Sequence, residues 1–308
     1  MKAYILDDGQ TSGLRFADVP EPQAAPNEAV IQVDAFSLNS GEMPGSGVFP
    51  NATVPGWDTA GRVATAAADG SGPKAGTRVV GGAWGGAWAE RRAIATESLA
   101  VLPDSVDVEA ASTLPVAGIT ALRAVRRLGA VVGRRALVTG ASGGVGRLAV
   151  QLARIAGADV VALASSETKR DDLLKVGASE VVTDLAQLSA AVYGALDFVG
   201  GSTLVEAWQH LVEGGTLVSI GGASGSVSTF PPFATAIPHR SLVAMGSGWT
   251  PLLPGETITA DLTYLANLIA ARALDPHIVW HGSWSKLSEA VKLFQDRKLS
   301  GKVVLFVN

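Results

Sequence analysis

Thr139–Gly146 (TGASGGVG) is the segment whose residue types and spacing most directly suggest chemistry. It follows an apolar run, Ala136–Val138, and opens a stretch with apolar residues at helical spacing. Glycines at a strand-to-helix turn allow the backbone to approach a pyrophosphate, and the free N–H groups at the helix start bind its charge. A glycine-rich turn without a ligand is the alternative interpretation. The segment predicts a dinucleotide site formed by Ser142, Gly143, Gly144 and Val145.

The residues after the second strand of such a unit indicate which dinucleotide is bound. An acidic residue about twenty positions after the last glycine binds the ribose 2′-hydroxyl in NAD sites. Here that position is Ser166, within the run SSETKR. Hydroxyl groups and two cations suit a 2′-phosphate, so we expect NADPH, held by Ser165, Ser166, Lys169 and Arg170. Glu167 weakens this expectation, and a solvated helix face is the alternative for the two cations.

Tryptophan is unusually frequent among the aromatic residues, with 7 tryptophans beside 8 phenylalanines and 3 tyrosines. Large flat rings provide a wall on which a flat, apolar substrate stacks. The alternative for each ring is that it fills the seam between two domains. We expect a substrate pocket lined by Phe49, Trp57, Trp84, Trp88, Trp249 and Trp280.

Composition excludes several classes of site. Cysteine is absent, which excludes disulfides, a catalytic thiol, iron–sulfur clusters and thiolate zinc sites. With only 4 histidines an imidazole metal site is not expected either, so we predict no bound metal. A net charge of −4 argues against nucleic-acid and anionic-membrane partners, since both require a basic face. The chain shows no secretory signal and no apolar span, so the expected location is the cytoplasm.

The elements that must position these residues follow two patterns. A chain of 308 residues at about 150 per domain predicts two domains. The first third shows short alternating runs typical of β-strands, at 29–35, 61–66 and 78–80. Residues 107–128 then predict two helices that meet near Pro115–Gly118. From Arg134 strands and helices alternate, including a helix over 185–192, which indicates a parallel sheet. The tail predicts helices over 260–272 and 285–294 and a final strand over 302–307.

The chain as a whole resembles the zinc-free quinone oxidoreductase branch of the medium-chain dehydrogenase/reductase superfamily. The order and spacing of the matching segments are those of that family over nearly the full length. The segments are Ser37–Asn39 (SLN), Pro55–Gly61 (PGWDTAG), Gly76–Val79 (GTRV), Ala87–Glu90 (AWAE), Leu114–Ala121 (LPVAGITA), the glycine loop with Ala149–Ala153 (AVQLA), Leu196–Gly201 (LDFVGG), Gly214–Gly222 and Gly301–Leu305 (GKVVL).

The resemblance implies an α/β fold of two domains with the active site in the cleft between them. Residues 1–115 and 249–308 would form a GroES-like partial β-barrel, and residues 116–248 an inserted Rossmann domain with a doubly wound parallel sheet. It also implies that Asn39 and Thr120 line the nicotinamide and that Lys302 reaches toward it. Val199, Gly221 and Ser247 would contribute backbone around the cofactor. A turn cap for Asn39 and a surface charge for Lys302 are the alternatives.

Departures from the zinc-dependent branch of the family concern the metal. That branch carries a cysteine near Asn39 and Gly-His-Glu where this chain has Gly56-Trp57-Asp58. The residues present cannot serve as the usual zinc ligands, so the resemblance implies catalysis without a metal. We expect Asp58 to be a buried structural carboxylate paired with an arginine, and a role as an acid or base is the alternative.

The resemblance implies an NADPH-dependent reductase that transfers hydride to a quinone or an α,β-unsaturated carbonyl compound. The expected partner is thus a small apolar or aromatic carbonyl substrate. A non-redox cyclase or isomerase on the same fold and a cofactor-binding scaffold without turnover are the alternatives. We also expect a homodimer formed by edge strands around Leu242–Met245.

The proton that completes the reduction has no obvious donor in the sequence. The three tyrosines fall outside the loops expected at the cleft, and Glu42 is expected to be exposed and ionised unless burial raises its pKa. His281 lies in the returning tail segment and could approach the cleft. We predict that solvent water ordered near Asn39 supplies the proton.

Overall fold

The computed structural model describes residues 1–235, 239–246 and 253–308. The chain forms two compact units, Met1–Ile119 with Pro251–Asn308, and Thr120–Thr250. From the sequence we place the boundaries after residues 115 and 248, whereas the two units divide after residues 119 and 250. No helix within the described residues is long and apolar enough to cross a membrane.

The first unit is built mainly from β-strands. β1 (Lys2–Leu6) and β2 (Leu14–Asp18) form an antiparallel pair. A seven-stranded sheet has the order β14-β15-β3-β4-β5-β7, and β6 pairs with β3 beside this path. Its strands are β3 (Glu28–Ser37), β4 (Asp58–Thr65), β5 (Arg78–Gly82), β6 (Arg91–Ala95), β7 (Leu99–Val101), β14 (Ile278–Ser283) and β15 (Lys302–Phe306).

The two ends of the chain share one core in this unit. Val33 and Phe36 of β3 pack in one cluster with Val303 and Leu305 of β15. Along β3 buried and half-buried positions alternate, as expected for a strand with one face in the core. β15 pairs antiparallel with the end of β3, so the C-terminal strand completes the sheet that the N-terminal third begins.

Helices of the first unit flank this sheet. α1 (Val108–Ser112) begins after Asp107, whose carboxylate accepts the N–H of Glu109 at 2.6 Å. A π-helical turn, Leu114–Gly118, follows it, and α2 (Ile119–Arg127) leads into the second unit. The sequence predicts that two helices meet near Pro115–Gly118, and in the structure this junction is the π-helical turn between α1 and α2. The tail adds α6 (Ile258–Ala270) and α7 (Leu287–Gln295).

The second unit is a parallel sheet of six strands in the order β10-β9-β8-β11-β12-β13. Numbered within the unit this is 3-2-1-4-5-6, the strand order of Rossmann dinucleotide-binding domains. Every strand pair in it is parallel. The strands are β8 (Arg135–Val138), β9 (Asp159–Leu163), β10 (Glu180–Val182), β11 (Val192–Asp197), β12 (Leu211–Ser219) and β13 (Ser241–Ala244). The helices are α3 (Gly144–Ile155), α4 (Arg170–Lys175) and α5 (Gly201–Gln209).

One expected helix is wrong, and one strand of the tail lies outside the predicted elements. The segment 185–192 forms only a 3-10 turn, Leu185–Gln187, and Val192 already belongs to β11. Its residues have good helix propensity, but β11, which pairs with β8 and β12, already begins at Val192 and leaves room for only a short turn before it. In the tail, β14 (IVWHGS) is a strand that the sequence does not predict, and it forms by parallel pairing with β15.

Candidate active site and cofactor-binding residues

The glycine loop occupies the turn between β8 and α3 and leaves the helix start without a side-chain cap. Gly143 is the N-cap residue, in an extended conformation, and the first turn of α3 carries no acidic residue. Gly146 packs so close to the loop that a Cβ there would lie 2.2 Å from the carbonyl oxygen of Gly140. Uncapped N–H groups at the start of a 12-residue helix are a site for an anion. The loop therefore fits the pyrophosphate of a dinucleotide.

A buried carboxylate, Asp197, ties the ends of the two central strands together. Thr139 Oγ1 donates to Asp197 Oδ1 at 2.7 Å, and Asp197 Oδ2 accepts the N–H of Gly200 at 2.9 Å. Asp197 is fully buried, and this burial raises its pKa. β8 and β11 are the strands at which the order of the sheet reverses, and in open α/β sheets the ligand crevice lies outside their carboxyl ends.

Sequence reasoning missed Asp197, although a lone acid at the end of an apolar run was a usable signal. Two residues expected around the cofactor, Val199 and Gly221, lie in the segments that follow β11 and β12. A Cβ at Gly221 would come within 2.4 Å of the carbonyl oxygen of Phe198. This position therefore requires glycine for packing, whatever it does for a ligand.

The residues expected to select NADPH follow β9. Ser165 is exposed and Ser166 Oγ lies 2.7 Å from Thr168 Oγ1. Arg170 is engaged locally, because its guanidinium forms two hydrogen bonds with the Glu167 carboxylate, at 2.6 and 2.9 Å. Lys169 forms no ion pair within the part of the chain that the structure describes, so it is the cation at this position that remains free for a phosphate.

The remaining predicted cofactor residues are distributed over both units. Thr120 is buried at the start of α2, and Lys302 is buried at the start of β15. Ser247 lies outside the described residues, as does Trp249 of the expected substrate pocket.

Four polar side chains form a buried cluster in the first unit, at the ends of β3, β4 and β15. We call Asn39, Glu42, Asp58 and Lys302 the polar cluster. Asp58 Oδ2 accepts from Asn39 Nδ2 at 2.8 Å and lies 3.7 Å from Lys302 Nζ. Lys302 Nζ donates to Asn39 Oδ1 at 2.9 Å and to the Leu38 carbonyl at 3.0 Å. Relative exposure is 8% for Asn39, 3% for Lys302 and zero for both carboxylates.

Glu42 joins this cluster to the segment that carries Trp57. Its Oε1 accepts the backbone N–H of Asn39 at 2.7 Å and its Oε2 accepts that of Trp57 at 3.0 Å. Burial, together with the nearby charge of Asp58, raises the pKa of Glu42 to about 8. Burial also lowers the pKa of Lys302. The expectation that Glu42 is exposed is wrong, because the short helix Ser40–Glu42 turns its side chain inward. Its burial raises the pKa, which is the exception stated for the expectation that it is ionised.

The prediction that Asp58 pairs with an arginine is wrong. Asp58 is buried as predicted, but its ion pair is with Lys302, and its other acceptor contacts are with Ser37 Oγ at 2.5 Å and the Val116 N–H at 2.9 Å. The buried Arg92 donates instead to the carbonyls of Trp57 and Gly85 and to Thr59 Oγ1. Lys302 is therefore a buried member of a network and not a surface charge.

Three of the expected aromatic residues contact one another. Phe49, Trp57 and Trp84 have ring centroids 5.4 to 5.9 Å apart, and we call them the aromatic trio. Trp84 is 66% exposed. Trp88 is fully buried and stacks on Phe36, so its assignment to a substrate pocket is wrong: it is a core residue. Trp280 is partly buried against the same core.

His281, the other residue considered for acid–base chemistry, lies outside the polar cluster. Its Nδ1 is 3.0 Å from Glu109 Oε2, and its imidazole is 66% exposed. Within residues 1–235, 239–246 and 253–308, no group of three histidine, cysteine, aspartate or glutamate side chains could hold a metal ion.

Comparison with known proteins agrees with this geometry. A family model described as "Zinc-binding dehydrogenase" matches residues 144–259. A probable quinone oxidoreductase of Schizosaccharomyces pombe is 31% identical over 74% of this chain and 73% of its own length. The chain belongs to the quinone oxidoreductase branch of the medium-chain dehydrogenase/reductase superfamily. It is thus an oxidoreductase, and membership of this superfamily implies a nicotinamide cofactor.

Two further relatives match over nearly the whole chain. An acryloyl-coenzyme A reductase of Sulfurisphaera tokodaii is 27% identical over 99% of both chains. The solved structure of the quinone oxidoreductase from Coxiella burnetii superposes with a TM-score of 0.85 and 26% identity over 100% of this chain and 99% of that one. The fold of this chain is therefore that of the Coxiella burnetii quinone oxidoreductase.

Proposed function

We propose that this protein uses NADPH to reduce a quinone or an α,β-unsaturated carbonyl compound without a metal ion. The observation that carries the proposal is the uncapped glycine loop at the start of α3 on a sheet of Rossmann order, followed after β9 by hydroxyls and a free cation. The names of the relatives, quinone oxidoreductases and an acryloyl-coenzyme A reductase, support this class of acceptor.

The cofactor and the protein have different roles in the proposed reaction. A bound nicotinamide supplies a hydride, which carries two electrons to one atom of the acceptor, and a proton at a second atom completes the reduction. The N–H groups at the start of α3 hold the pyrophosphate, and Ser166 with Lys169 holds the 2′-phosphate. Asn39 keeps one lone pair of Oδ1 for a ligand, because Lys302 occupies only the other.

The charge balance of the polar cluster supports chemistry without zinc. Lys302 pairs with the buried carboxylate of Asp58, and Glu42 is largely protonated near neutral pH because its pKa is raised to about 8. The cluster therefore needs no added metal ion to balance its charge, and Trp57 cannot act as a zinc ligand. The reactive carbonyl would then be oriented by hydrogen bonds, not by a Lewis acid.

The test is NADPH oxidation followed at saturating cofactor with a panel of quinones and enones, after dialysis against a chelator. We expect turnover with at least one member of the panel, unchanged by the chelator, and less than 0.1 zinc per subunit as a rough threshold by elemental analysis. One zinc per subunit that is lost together with activity would overturn the metal-free part of the proposal. Binding of NADPH without its oxidation by any member would overturn the reductase assignment.

A further inference from the structure

The aromatic trio is held in place by the backbone around it and not by deep burial of all three rings. On either side of Trp84 the loop is bonded to the segment that carries Trp57, since Ala83 N–H donates to the Trp57 carbonyl at 3.3 Å and Gly86 N–H to the Val54 carbonyl at 2.8 Å. Gly85 and Gly86 both have positive φ, which only glycine adopts without strain. The turn therefore presents Trp84 in one defined position.

A single buried guanidinium reinforces this arrangement. Arg92 donates to the Gly85 carbonyl at 2.5 Å and to the Trp57 carbonyl at 2.9 Å, so it connects the two tryptophan-bearing segments directly. Trp57 is fixed on its other side by Glu42, which accepts its N–H. A Cβ at Gly41 would lie only 2.5 Å from the Trp57 ring, so glycine there makes room for the indole. This degree of constraint is more than an exposed surface ring requires.

The exposure of Trp84 indicates that the trio serves a ligand. Trp84 leaves two thirds of its surface in water while its ring is held against Phe49 and Trp57. An exposed, pre-oriented aromatic face reduces the entropy lost when a flat ligand binds.

Electronic complementarity distinguishes between possible ligands. The face of an indole carries negative charge density, and the ring of a quinone is electron-poor because two carbonyl groups withdraw density from it. A fused-ring quinone also offers an area that matches the bicyclic indole, whereas an acyclic enone has no ring face to stack. The trio thus fits one class of acceptor better than the other.

We propose that the aromatic trio is a stacking surface for planar fused-ring quinones and that Trp84 determines the preference of the enzyme for them over acyclic enones. This inference rests on the proposed function, because it selects one of the two acceptor classes named there. The reaction is the addition of a hydride and a proton to the quinone, which gives the hydroquinone and oxidised cofactor.

The experiment measures binding of menadione, a naphthoquinone, to the cofactor-free full-length protein by calorimetry. Without NADPH the quinone is not reduced, and the absence of cysteine removes the usual thiol addition to quinones. The variants are Trp84→Ala and Trp84→Phe, with Tyr264→Ala as control, since Tyr264 is a 41% exposed aromatic residue on α6. Stacking energies predict about three- to tenfold weaker binding for Trp84→Ala, partial recovery for Trp84→Phe and no change for the control.

Kinetics supply the second readout. The ratio of kcat/KM for menadione to kcat/KM for 3-penten-2-one should fall by about the same factor in Trp84→Ala, since only the stacked acceptor loses a contact. Unchanged menadione affinity together with an unchanged ratio would overturn the stacking surface while leaving the reductase assignment intact. If no acceptor supports NADPH oxidation, the proposed function fails, and the calorimetry still decides whether Trp84 binds the quinone.

Discussion

Lys302 Nζ donates a 2.9 Å hydrogen bond to Asn39 Oδ1 across a sequence separation of 263 residues. A lysine only donates, so Lys302 must bond to the amide oxygen of Asn39. The Asp58 carboxylate only accepts, so it must bond to the amide nitrogen, and the two contacts together fix the orientation of the amide. The amide that family resemblance assigns to the nicotinamide is therefore oriented by the C-terminal strand. This bond makes the last residues of the chain part of the candidate site.

Replacing Lys302 should be costly for stability. In Lys302→Met the carboxylate of Asp58 loses its buried cation, and the breaking of a buried ion pair costs about 3–5 kcal/mol. Lys298→Met is the matched control, because Lys298 is 63% exposed and its pair with Asp296 lies at the surface. We expect the control to change the free energy of unfolding by less than about 0.5 kcal/mol. Urea unfolding of both variants measures the difference, and equal midpoints would contradict a structural role for Lys302.

The raised pKa of Glu42 predicts how stability depends on pH. Its folded pKa of about 8 exceeds the ordinary value of 4.5, so between these values the folded state binds more protons than the unfolded chain. The stabilisation is fully present below pH 4.5 and is lost as pH rises toward 8. The groups that face Glu42 are Asp58, which acts in the same direction, and the cations Lys302 and Arg92, which oppose it.

Glu42→Gln isolates this contribution. The glutamine cannot ionise, so its unfolding free energy should fall less steeply between pH 5 and pH 8 than that of the wild type. Its absolute stability is not the criterion, because the amide also replaces an acceptor of the Trp57 N–H by a donor. Chemical denaturation at several pH values gives the two slopes, and parallel curves would show that Glu42 does not titrate in this range.

The part of the site that sequence could predict is the part formed by neighbouring residues. The glycine loop is a local strand–turn–helix motif, so TGASGGVG alone specifies where α3 begins. Glu42 lies in SGEMPGSG, which has the composition of an exposed loop. Its burial depends on contacts with Trp57, 15 residues away, and no local pattern records such a contact.

Contacts between residues far apart in sequence also explain why parts of the fold could not be predicted. Apolar runs predict strands of the parallel sheet in the second unit, whereas β14 is a strand only through its pairing with β15. Trp88 and Trp84 are four positions apart on one glycine-rich loop, yet one is fully buried and the other two-thirds exposed. Both residues are tryptophans in the same loop, so the local sequence does not show which ring is in the core and which is at the surface.

Cofactor preference should depend on Lys169 more than on Arg170. Arg170 is already bound by Glu167, whereas Lys169 is available to a 2′-phosphate. A charge-assisted phosphate contact is worth roughly 1.5–3 kcal/mol, so Lys169→Ala should reduce the preference for NADPH over NADH by about ten- to hundredfold. Arg170→Ala should reduce it less, and Ser166→Asp should favour NADH. Dissociation constants for both cofactors test this, and a wild type that binds them equally would refute it.

The edge strand β13 predicts the oligomeric state. Its outer side pairs with no other strand in the described chain, and Leu242 on it is 45% exposed. Pairing of two such edges would cover unpaired backbone groups and the leucine side chains. We expect a homodimer at micromolar concentration, which Leu242→Lys converts to monomer. Val227→Lys, at an 86% exposed position elsewhere in the second unit, is the control. A monomeric mass for the wild type, measured by light scattering, would disprove the prediction.

The proton that completes the reduction must come from a side chain or from solvent. A side chain that acts as general acid must approach the substrate within hydrogen-bond reach. The raised pKa keeps Glu42 largely protonated near neutral pH, but the side chain is fully buried and each of its oxygens accepts a backbone N–H. His281 is exposed and bound to Glu109. Neither is placed as a free donor, so we expect the proton to come from solvent water.

Isotope labelling and two variants test this source. With an enone substrate, deuterated NADPH should label one carbon and D₂O the other. Glu42→Gln and His281→Ala should each retain kcat within about tenfold of the wild type, which corresponds to about 1.4 kcal/mol of activation free energy. NADPH binding, measured on the same samples, controls for loss of the folded site. A decrease near a thousandfold in either variant with cofactor binding intact would identify that side chain as a dedicated acid, because solvent could not then be the sole efficient donor.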